Sequence, residues 1–98
     1  MEIYETELVF LASEPFFAGH YPGRPVTPGV MLIDRAVKAA GDMLGRKVGL
    51  KGIKKVKFSS PVLPGETVSL RLERRGESEI SYLFSRNGTP CASGIFML

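Results

Sequence analysis

Polar and apolar positions alternate along much of the chain, as they do in strands that have one buried face. From Glu2 to Phe10, acidic and polar residues interrupt β-branched and aromatic ones, which predicts a partly exposed strand. Val68, Leu70 and Leu72 alternate with polar residues, and Ile80, Tyr82 and Phe84 alternate with Ser81, Leu83 and Ser85. This period of two predicts antiparallel strands, and the turn-forming residues between them place four strands at about 48–59, 66–75, 78–87 and 90–98. Arg86-Asn87-Gly88 is predicted to be a hairpin turn.

Between residues 29 and 44 the apolar positions recur at steps of three and four instead. One stripe consists of Val30, Ile33, Val37, Ala40 and Leu44, and a second stripe consists of Leu32, Ala36, Ala39 and Met43. This spacing predicts a helix over 29–44, with Thr27-Pro28-Gly29 as its start and Gly45 as its stop. Because the helix is apolar over most of its circumference, we expect it to be buried.

One long helix with about five strands, four of them after it, predicts an α+β architecture in which an antiparallel sheet curls around the helix. The chain has 98 residues, and we expect them to form a single domain, 1–98, without a linker. The segment 11–29 carries four prolines and three glycines, and it is predicted to be a loop.

Composition narrows the class of protein. With 44% hydrophobic residues the chain is not disordered, and its net charge of +3 is too small to indicate nucleic-acid binding by itself. Cys91 is the single cysteine and is expected to be a small core residue, and His20 is the single histidine, so no Cys/His metal site is predicted. The acidic start and the short apolar runs indicate a cytoplasmic protein without a membrane span.

The densest chemical signal is the loop that ends at Gly29. It places His20 in a segment stiffened by prolines, shortly before the N-terminus of the helix. A histidine can take or give a proton near neutral pH, and the free N–H groups at a helix start, such as that of Gly29, can polarise a carbonyl. Asp34 lies about 7.5 Å further along the helix, next to apolar residues. These residues are candidates for acid–base chemistry.

Simpler interpretations exist for each of these residues. A single loop histidine is more often a structural hydrogen-bonding residue, and Asp34 precedes Lys38 by four positions, which is the spacing of an ordinary helical ion pair. Three prolines at three-residue steps, from Pro22 to Pro28, could form a polyproline II ligand, although stiffening of the loop accounts for them better.

The string from Phe17 to Val30, FAGHYPGRPVTPGV, followed by Asp34, resembles the active-site motif of the 3-hydroxyacyl-[acyl carrier protein] dehydratases of bacterial fatty-acid synthesis. The stretches GIKKVKF at 52–58 and PVLPGE at 61–66 are also similar to that family, so that the resemblance extends over nearly the whole chain. The resemblance implies the hotdog fold, in which an antiparallel sheet wraps around one long central helix.

The resemblance also implies roles for individual residues. His20 would remove the α-proton of a 3-hydroxyacyl thioester, Asp34 would help the 3-hydroxyl to leave as water, and the N–H of Gly29 would polarise the thioester carbonyl. The reaction would need no cofactor and no metal. In the family, the histidine and the acid of one site come from opposite subunits, which implies a homodimer and leaves a heterodimer or a higher oligomer open.

The resemblance implies an acyl carrier protein as partner, with neither nucleic acid nor membrane involved. Six basic residues within twelve positions could attract this acidic protein, although a merely solvated face is about equally consistent with them. They are Arg46, Lys47, Lys51, Lys54, Lys55 and Lys57.

Three departures from the family pattern bear on activity. Many relatives carry Glu where this chain has Asp34, and the branch that also isomerises the double bond carries Asp. Relatives often have Gln at the position of Lys38, whose charge would hold Asp34 ionised and weaken it as an acid. The chain opens without the N-terminal helix and first strand of many members, so the wall of the tunnel for the acyl chain is expected to be either incomplete or completed by a partner. The alternatives are a non-catalytic subunit that binds the carrier protein or a partner dehydratase, and a hotdog thioesterase.

Overall fold

The computed structural model of the protein describes residues 2–10 and 29–98. Within these ranges the elements are β1 (Ile3–Val9), α1 (Gly29–Leu44), β2 (Gly52–Phe58), β3 (Thr67–Arg75), β4 (Glu79–Arg86) and β5 (Thr89–Met97). The predicted helix over 29–44 is confirmed at both ends, and so are one strand before it and four after it. Of the predicted loop 11–29, residues 11–28 lie outside the described residues.

The strands of the described part form one antiparallel sheet with the order β1-β3-β4-β5-β2. β1 pairs with β3, from Ile3 opposite Glu73 to Val9 opposite Thr67. The successive hairpins β3-β4-β5 form the centre, while β2 lies at the far edge against β5. This is the α+β arrangement that the sequence predicts.

Alternation along the central strands builds the core. Val68, Leu70 and Leu72 of β3 are fully buried, and the residues between them are exposed. On β4, Ile80, Tyr82 and Phe84 face the same side, and the ring of Tyr82 stacks on that of Phe96 with centroids 4.7 Å apart. Each large apolar side chain buried in this way contributes about 1.5–3 kcal/mol of transfer free energy. Cys91 is completely buried among these residues, as predicted.

Helix α1 is buried along one side rather than around most of its circumference. Its buried residues are Leu32, Ala36, Ala39 and Ala40, which lie against the sheet. Val30, in contrast, is 67% exposed, and Val37 is only partly buried. The expectation of a fully buried helix is therefore wrong for this chain, because the sheet covers one side of the helix and no described element covers the other.

Glycines and an asparagine in the left-handed conformation end the elements. Asn87 and Gly88 have φ angles of 50° and 80° between β4 and β5, as the central residues of a type I′ hairpin turn require, so that the predicted turn is confirmed. After α1, Gly45 has a φ of 68°, and the N–H of Arg46 donates to the carbonyl oxygen of Gly41 at 3.1 Å. This is the hydrogen bond of a Schellman cap, and it satisfies a carbonyl at the end of the helix.

Strand β2 is shorter than predicted and irregular. It begins at Gly52, opposite Met97, whereas the sequence places its start near 48. Val48 and Leu50 pack partly buried against the core, which explains their strand-like alternation outside the ladder. The register shifts between Lys54 and Lys57, and Lys55 in this bulge has a φ of 54°.

Candidate active site

A mainly apolar cleft of about 350 Å³ opens at the first turn of α1. Its lining residues come from the helix, from the last residue of β2 and from the segment that follows it: Gly29, Leu32, Phe58, Ser59, Ser60, Pro61 and Val62. The first N–H groups of a helix have no intrahelical acceptor, and the helix dipole adds partial positive charge there. The cleft therefore combines an apolar wall with backbone donors suited to an oxygen that gains negative charge.

Close contact with Phe58 requires glycine at position 29. A Cβ atom added to Gly29 would lie 2.7 Å from Cζ of Phe58, and real Cβ atoms do not approach other carbons so closely. The ring of Phe58 lies next to the helix start and lines the cleft, and 54% of this residue is exposed. A side chain at position 29 would displace this ring.

Asp34 lies in a different depression of the same chain. It lines a groove of about 900 Å³ along the second half of α1, together with Val37, Lys38, Gly41, Asp42, Gly45, Arg46, Lys47 and Val48. Five residues along a helix correspond to about 140° of rotation, which separates Asp34 from the side of the helix that Gly29 presents to the cleft. The structure thus does not bring Gly29 and Asp34 into one site within a single chain.

The Asp34 carboxylate forms the ion pair that its spacing from Lys38 predicts. Its Oδ2 atom lies 3.2 Å from Nζ of Lys38, and the two side chains are 48% and 70% exposed. Val30, one turn before Asp34, is largely exposed as well. An apolar side chain and a paired carboxylate therefore lie side by side on the open side of α1.

His20 lies outside the described residues, so its position relative to Gly29 and Asp34 stays a prediction. Gly29 follows it by nine positions and is the first residue of the helix. The described ranges contain no group of three or more His, Cys, Asp or Glu residues that could hold a metal ion. In those ranges there is also no helix long and apolar enough to span a membrane.

The six basic residues predicted to form one patch lie in different surroundings. Arg46 and Lys47 line the groove beside Asp34, whereas Lys55 lines a depression on the outer face of the sheet. Lys54 forms an ion pair with Glu79, and its hydrogen bond lowers the pKa of that carboxyl. Within the described residues no carboxylate pairs with the remaining five, which therefore keep their charges available to a partner.

The cleft wall contains residues that the sequence analysis did not single out as functional. Phe58, Ser60 and Val62 lie about thirty positions after Gly29 in the sequence, and neither periodicity nor charge marks them as site residues. The exposed aromatic residue at a strand end, directly before a connection with two prolines, is the signal that could have pointed to them.

Comparison with known proteins identifies relatives of this chain. The ApeI-like family, described as ApeI dehydratase, matches residues 2–95. The 3-hydroxyacyl-[acyl-carrier-protein] dehydratase FabZ of Chlamydia trachomatis serovar L2 is 44% identical over 70 residues, a match that covers 62% of this chain and 46% of the relative. FabZ of Syntrophobacter fumaroxidans is 36% identical over 91 residues, covering 78% of this chain and 62% of the relative. This chain thus spans about half to three-fifths of the length of these relatives.

The fold has solved counterparts. The dehydratase heterocomplex ApeI:P from Xenorhabdus doucetiae superimposes with a TM-score of 0.86 at 24% identity, covering 97% of this chain and 85% of the other. At that identity the likeness concerns the fold, and it confirms the predicted hotdog fold. The match of the family over residues 2–95 is far more than half of the chain. This chain is therefore a member of the ApeI-like dehydratase family.

Proposed function

We propose that this protein eliminates water from a 3-hydroxyacyl-[acyl-carrier-protein] thioester to give the trans-2-enoyl thioester, in fatty-acid or polyketide synthesis. The observation that carries the proposal is the apolar cleft that opens at the N-terminus of α1, with Gly29 among its lining residues. Membership of a dehydratase family and the similarity to two FabZ proteins support the same chemistry.

The cleft suits the first half of this reaction. When the α-proton of a thioester is removed, negative charge moves to the carbonyl oxygen. The N–H of Gly29 and the positive end of the helix stabilise that charge without reorganisation, because the backbone holds them in place. The apolar wall formed by Phe58, Pro61 and Val62 accommodates the acyl chain and keeps water away.

In the proposal, His20 takes the α-proton and Asp34 assists departure of the 3-hydroxyl. The C–H bond at the α-carbon breaks, its electron pair forms the double bond, and the C–O bond at the β-carbon breaks as hydroxide receives a proton and leaves as water. The step moves protons and involves no net oxidation or reduction, so the proposal includes no cofactor. We place the reaction in the cytoplasm.

Asp34 acts in this scheme from a second chain. Within one chain, Gly29 and Asp34 line separate depressions, so a complete site requires the acid of one copy to meet the helix start of another. The exposed Val30 beside Asp34 supports an apolar contact on this side of the helix. We therefore propose a homodimer as the active form. A heterodimer is the alternative, since the similar Xenorhabdus structure is a heterocomplex.

We further propose that the acidic acyl carrier protein docks through basic residues near the groove. Arg46 and Lys47 lie in the groove beside Asp34, and Lys51 follows shortly after in the chain. Such charges raise the association rate more than the affinity, and salt screens them over about 8–10 Å. Lys54 contributes least, because Glu79 already pairs with it.

The decisive experiment is an absorbance assay for the conjugated enoyl product with a medium-chain 3-hydroxyacyl thioester. His20→Ala and Asp34→Asn are each expected to lower turnover by about 10²-fold or more, because each removes a proton-transfer group. Asp42→Asn is the matched control, since Asp42 is an exposed acid in the same groove of the same helix. Turnover that survives either of the first two changes would refute the assigned roles.

A second candidate function is that of a non-catalytic subunit which binds an acyl carrier protein or a partner dehydratase. The observation that favours it is the ion pair between Asp34 and Lys38, since Lys38 occupies the carboxylate that would otherwise contact the 3-hydroxyl. A stable homodimer that is active without any partner would contradict it. Activity that appears when a second dehydratase subunit is added would favour it over the homodimer.

A further inference from the structure

We propose that Arg86 is a positioning residue that fixes the outer wall of the cleft at Gly29 and thereby sets the affinity for longer acyl chains. This inference rests on the proposed function, because it assumes that the cleft holds the acyl chain. Arg86 itself is not among the residues that line the cleft. It acts through the segment that we call the strap, residues 59–66, which connects β2 to β3.

Backbone hydrogen bonds hold the strap near its two ends, and in its middle Val62 packs into the core. The last pair between β2 and β5 is Phe58 opposite Ala92, and beyond it the N–H groups of Ser59 and Ser60 donate to the carbonyl of Cys91 at 2.8 and 3.2 Å. Further along, Gly65 donates to the carbonyl of Phe10 at 2.8 Å. Pro61 and Val62, which face the cleft, lie between these backbone anchors.

The guanidinium of Arg86 binds the middle part of the strap through hydrogen bonds. Its Nη1 atom donates to the carbonyl oxygen of Pro61 at 2.8 Å and to Oε1 of Glu66 at 2.9 Å, and its Nη2 atom donates to Oγ of Ser60 at 3.2 Å. The same Oε1 atom accepts the N–H of Leu63 at 2.8 Å. One planar cation thus ties the beginning and the end of the strap together.

The surroundings of Arg86 make this connection stiff. Its side chain and that of Glu66 are 26% and 31% exposed, so water competes less for the charged hydrogen bonds than at more exposed pairs such as Arg71 with Glu5. Its backbone is fixed at the end of β4, opposite Thr89, by the hairpin turn at Asn87 and Gly88. Strand β4, which is fixed in the sheet, therefore carries the guanidinium group that positions the cleft wall.

Lysine at position 86 cannot make the three hydrogen bonds that the guanidinium of Arg86 makes. Arginine presents several N–H donors in a fixed plane, whereas the lysine ammonium is a single point charge on a flexible stem. Arg86→Lys keeps the charge next to Glu66 but gives up the simultaneous bonds to Pro61 and Ser60. The wall would then move relative to Gly29. A longer acyl chain touches more of the wall, so it should lose more affinity than a short chain.

The test measures binding by calorimetry, using 3-hydroxybutanoyl and 3-hydroxydecanoyl pantetheine amides, in which an amide replaces the reactive thioester. We expect Arg86→Lys to weaken binding of the decanoyl compound by about tenfold and to change that of the butanoyl compound by less than about twofold. Arg71→Met is the matched control, because Arg71 also pairs with a carboxylate, that of Glu5 at 3.0 Å, but lies away from the cleft. It should leave both affinities unchanged.

Several results would overturn the inference: equal weakening for both chain lengths, no weakening in Arg86→Lys, the same weakening in Arg71→Met, or no binding of either amide by the unaltered protein. If Arg86→Lys does not fold, Glu66→Gln tests the same clamp and should show the same dependence on chain length. An unaltered protein that binds the amides but does not dehydrate the thioesters would refute the proposed reaction and leave the role of Arg86 in binding to be decided by these affinities.

Discussion

The side of α1 that faces the sheet is covered by other parts of this chain, whereas the side that faces away from the sheet is largely exposed. The sheet side consists of Leu32, Ala36, Ala39 and Ala40, all of them buried by the strands. The outer side carries Val30 and the ion pair of Asp34 with Lys38, and these residues are exposed. Both sides are rich in apolar residues, yet within the described part of the chain only one has a partner surface.

This difference separates the parts of the sequence that serve the fold from those that serve an assembly. The small alanines on the sheet side allow the helix to lie close to the strands, and packing within the chain explains them completely. A valine that is 67% exposed beside a carboxylate contributes little to the stability of one chain. A second subunit that covers the outer side would give that valine a contact and would bring Asp34 to another helix start.

The largest expected effect comes from Val30→Glu, which places a charge on the outer side. An acidic residue in the first turn of a helix is favourable, so folding of the single chain should not suffer. If this side lies in a dimer interface, an unpaired buried charge costs about 3–5 kcal/mol, which corresponds to a decrease in the association constant of about 100-fold or more. Light scattering over a dilution series measures the association constant.

Val30→Ala serves as the control for this change, since it shortens the side chain without adding charge. It should weaken association far less than Val30→Glu. A Val30→Glu protein that remains as strongly dimeric as the unaltered protein would show that the subunits meet elsewhere, and the two-chain site proposed above would then have to be abandoned.

A smaller effect is expected from overpacking the sheet side with Ala36→Leu. Ala36 is completely buried between helix and sheet, so a leucine there forces neighbouring side chains or the helix to move, at a cost of about 1–3 kcal/mol in the free energy of unfolding. The matched change Val30→Leu on the outer side should stay within about 0.5 kcal/mol. Urea denaturation compares the two. Equal stabilities would mean that the two sides of the helix are not packed differently.

Local patterns were sufficient to predict the elements. The period of two in β3 and β4, the turn at Asn87-Gly88 and the helix boundaries at Gly29 and Gly45 all depend on neighbouring residues, and the structure confirms them. The predicted start of β2, near residue 48, is wrong, because Val48 and Leu50 pack against the core without pairing in the sheet. Which apolar stripe of the helix meets the sheet also stayed undecided, since hydrophobicity alone does not distinguish the stripes.

The candidate site could be predicted only in part, for a similar reason. Gly29 and Asp34 stand in a recognisable local motif, whereas the cleft wall begins at Phe58 and depends on a clamp from Arg86. Arg86 and the residues that it holds are 20 to 26 positions apart in sequence. No periodicity or composition links positions so distant, because their contact arises only when β2 and β4 join the same sheet.

The smallest effect is expected from Lys38→Gln, which alters the outer side without changing its shape. An exposed pair at this spacing contributes about 0.3–0.5 kcal/mol to stability, so the free energy of unfolding should hardly change. Loss of the ammonium frees the Asp34 carboxylate from its 3.2 Å contact with Lys38, and turnover should rise by about two- to fivefold if that contact competes with the substrate hydroxyl for the carboxylate. Steady-state kinetics of this variant beside Lys47→Gln, a basic residue of the same groove, measures the effect. Lower turnover in Lys38→Gln than in Lys47→Gln would mean instead that Lys38 holds the Asp34 side chain in the position where it acts.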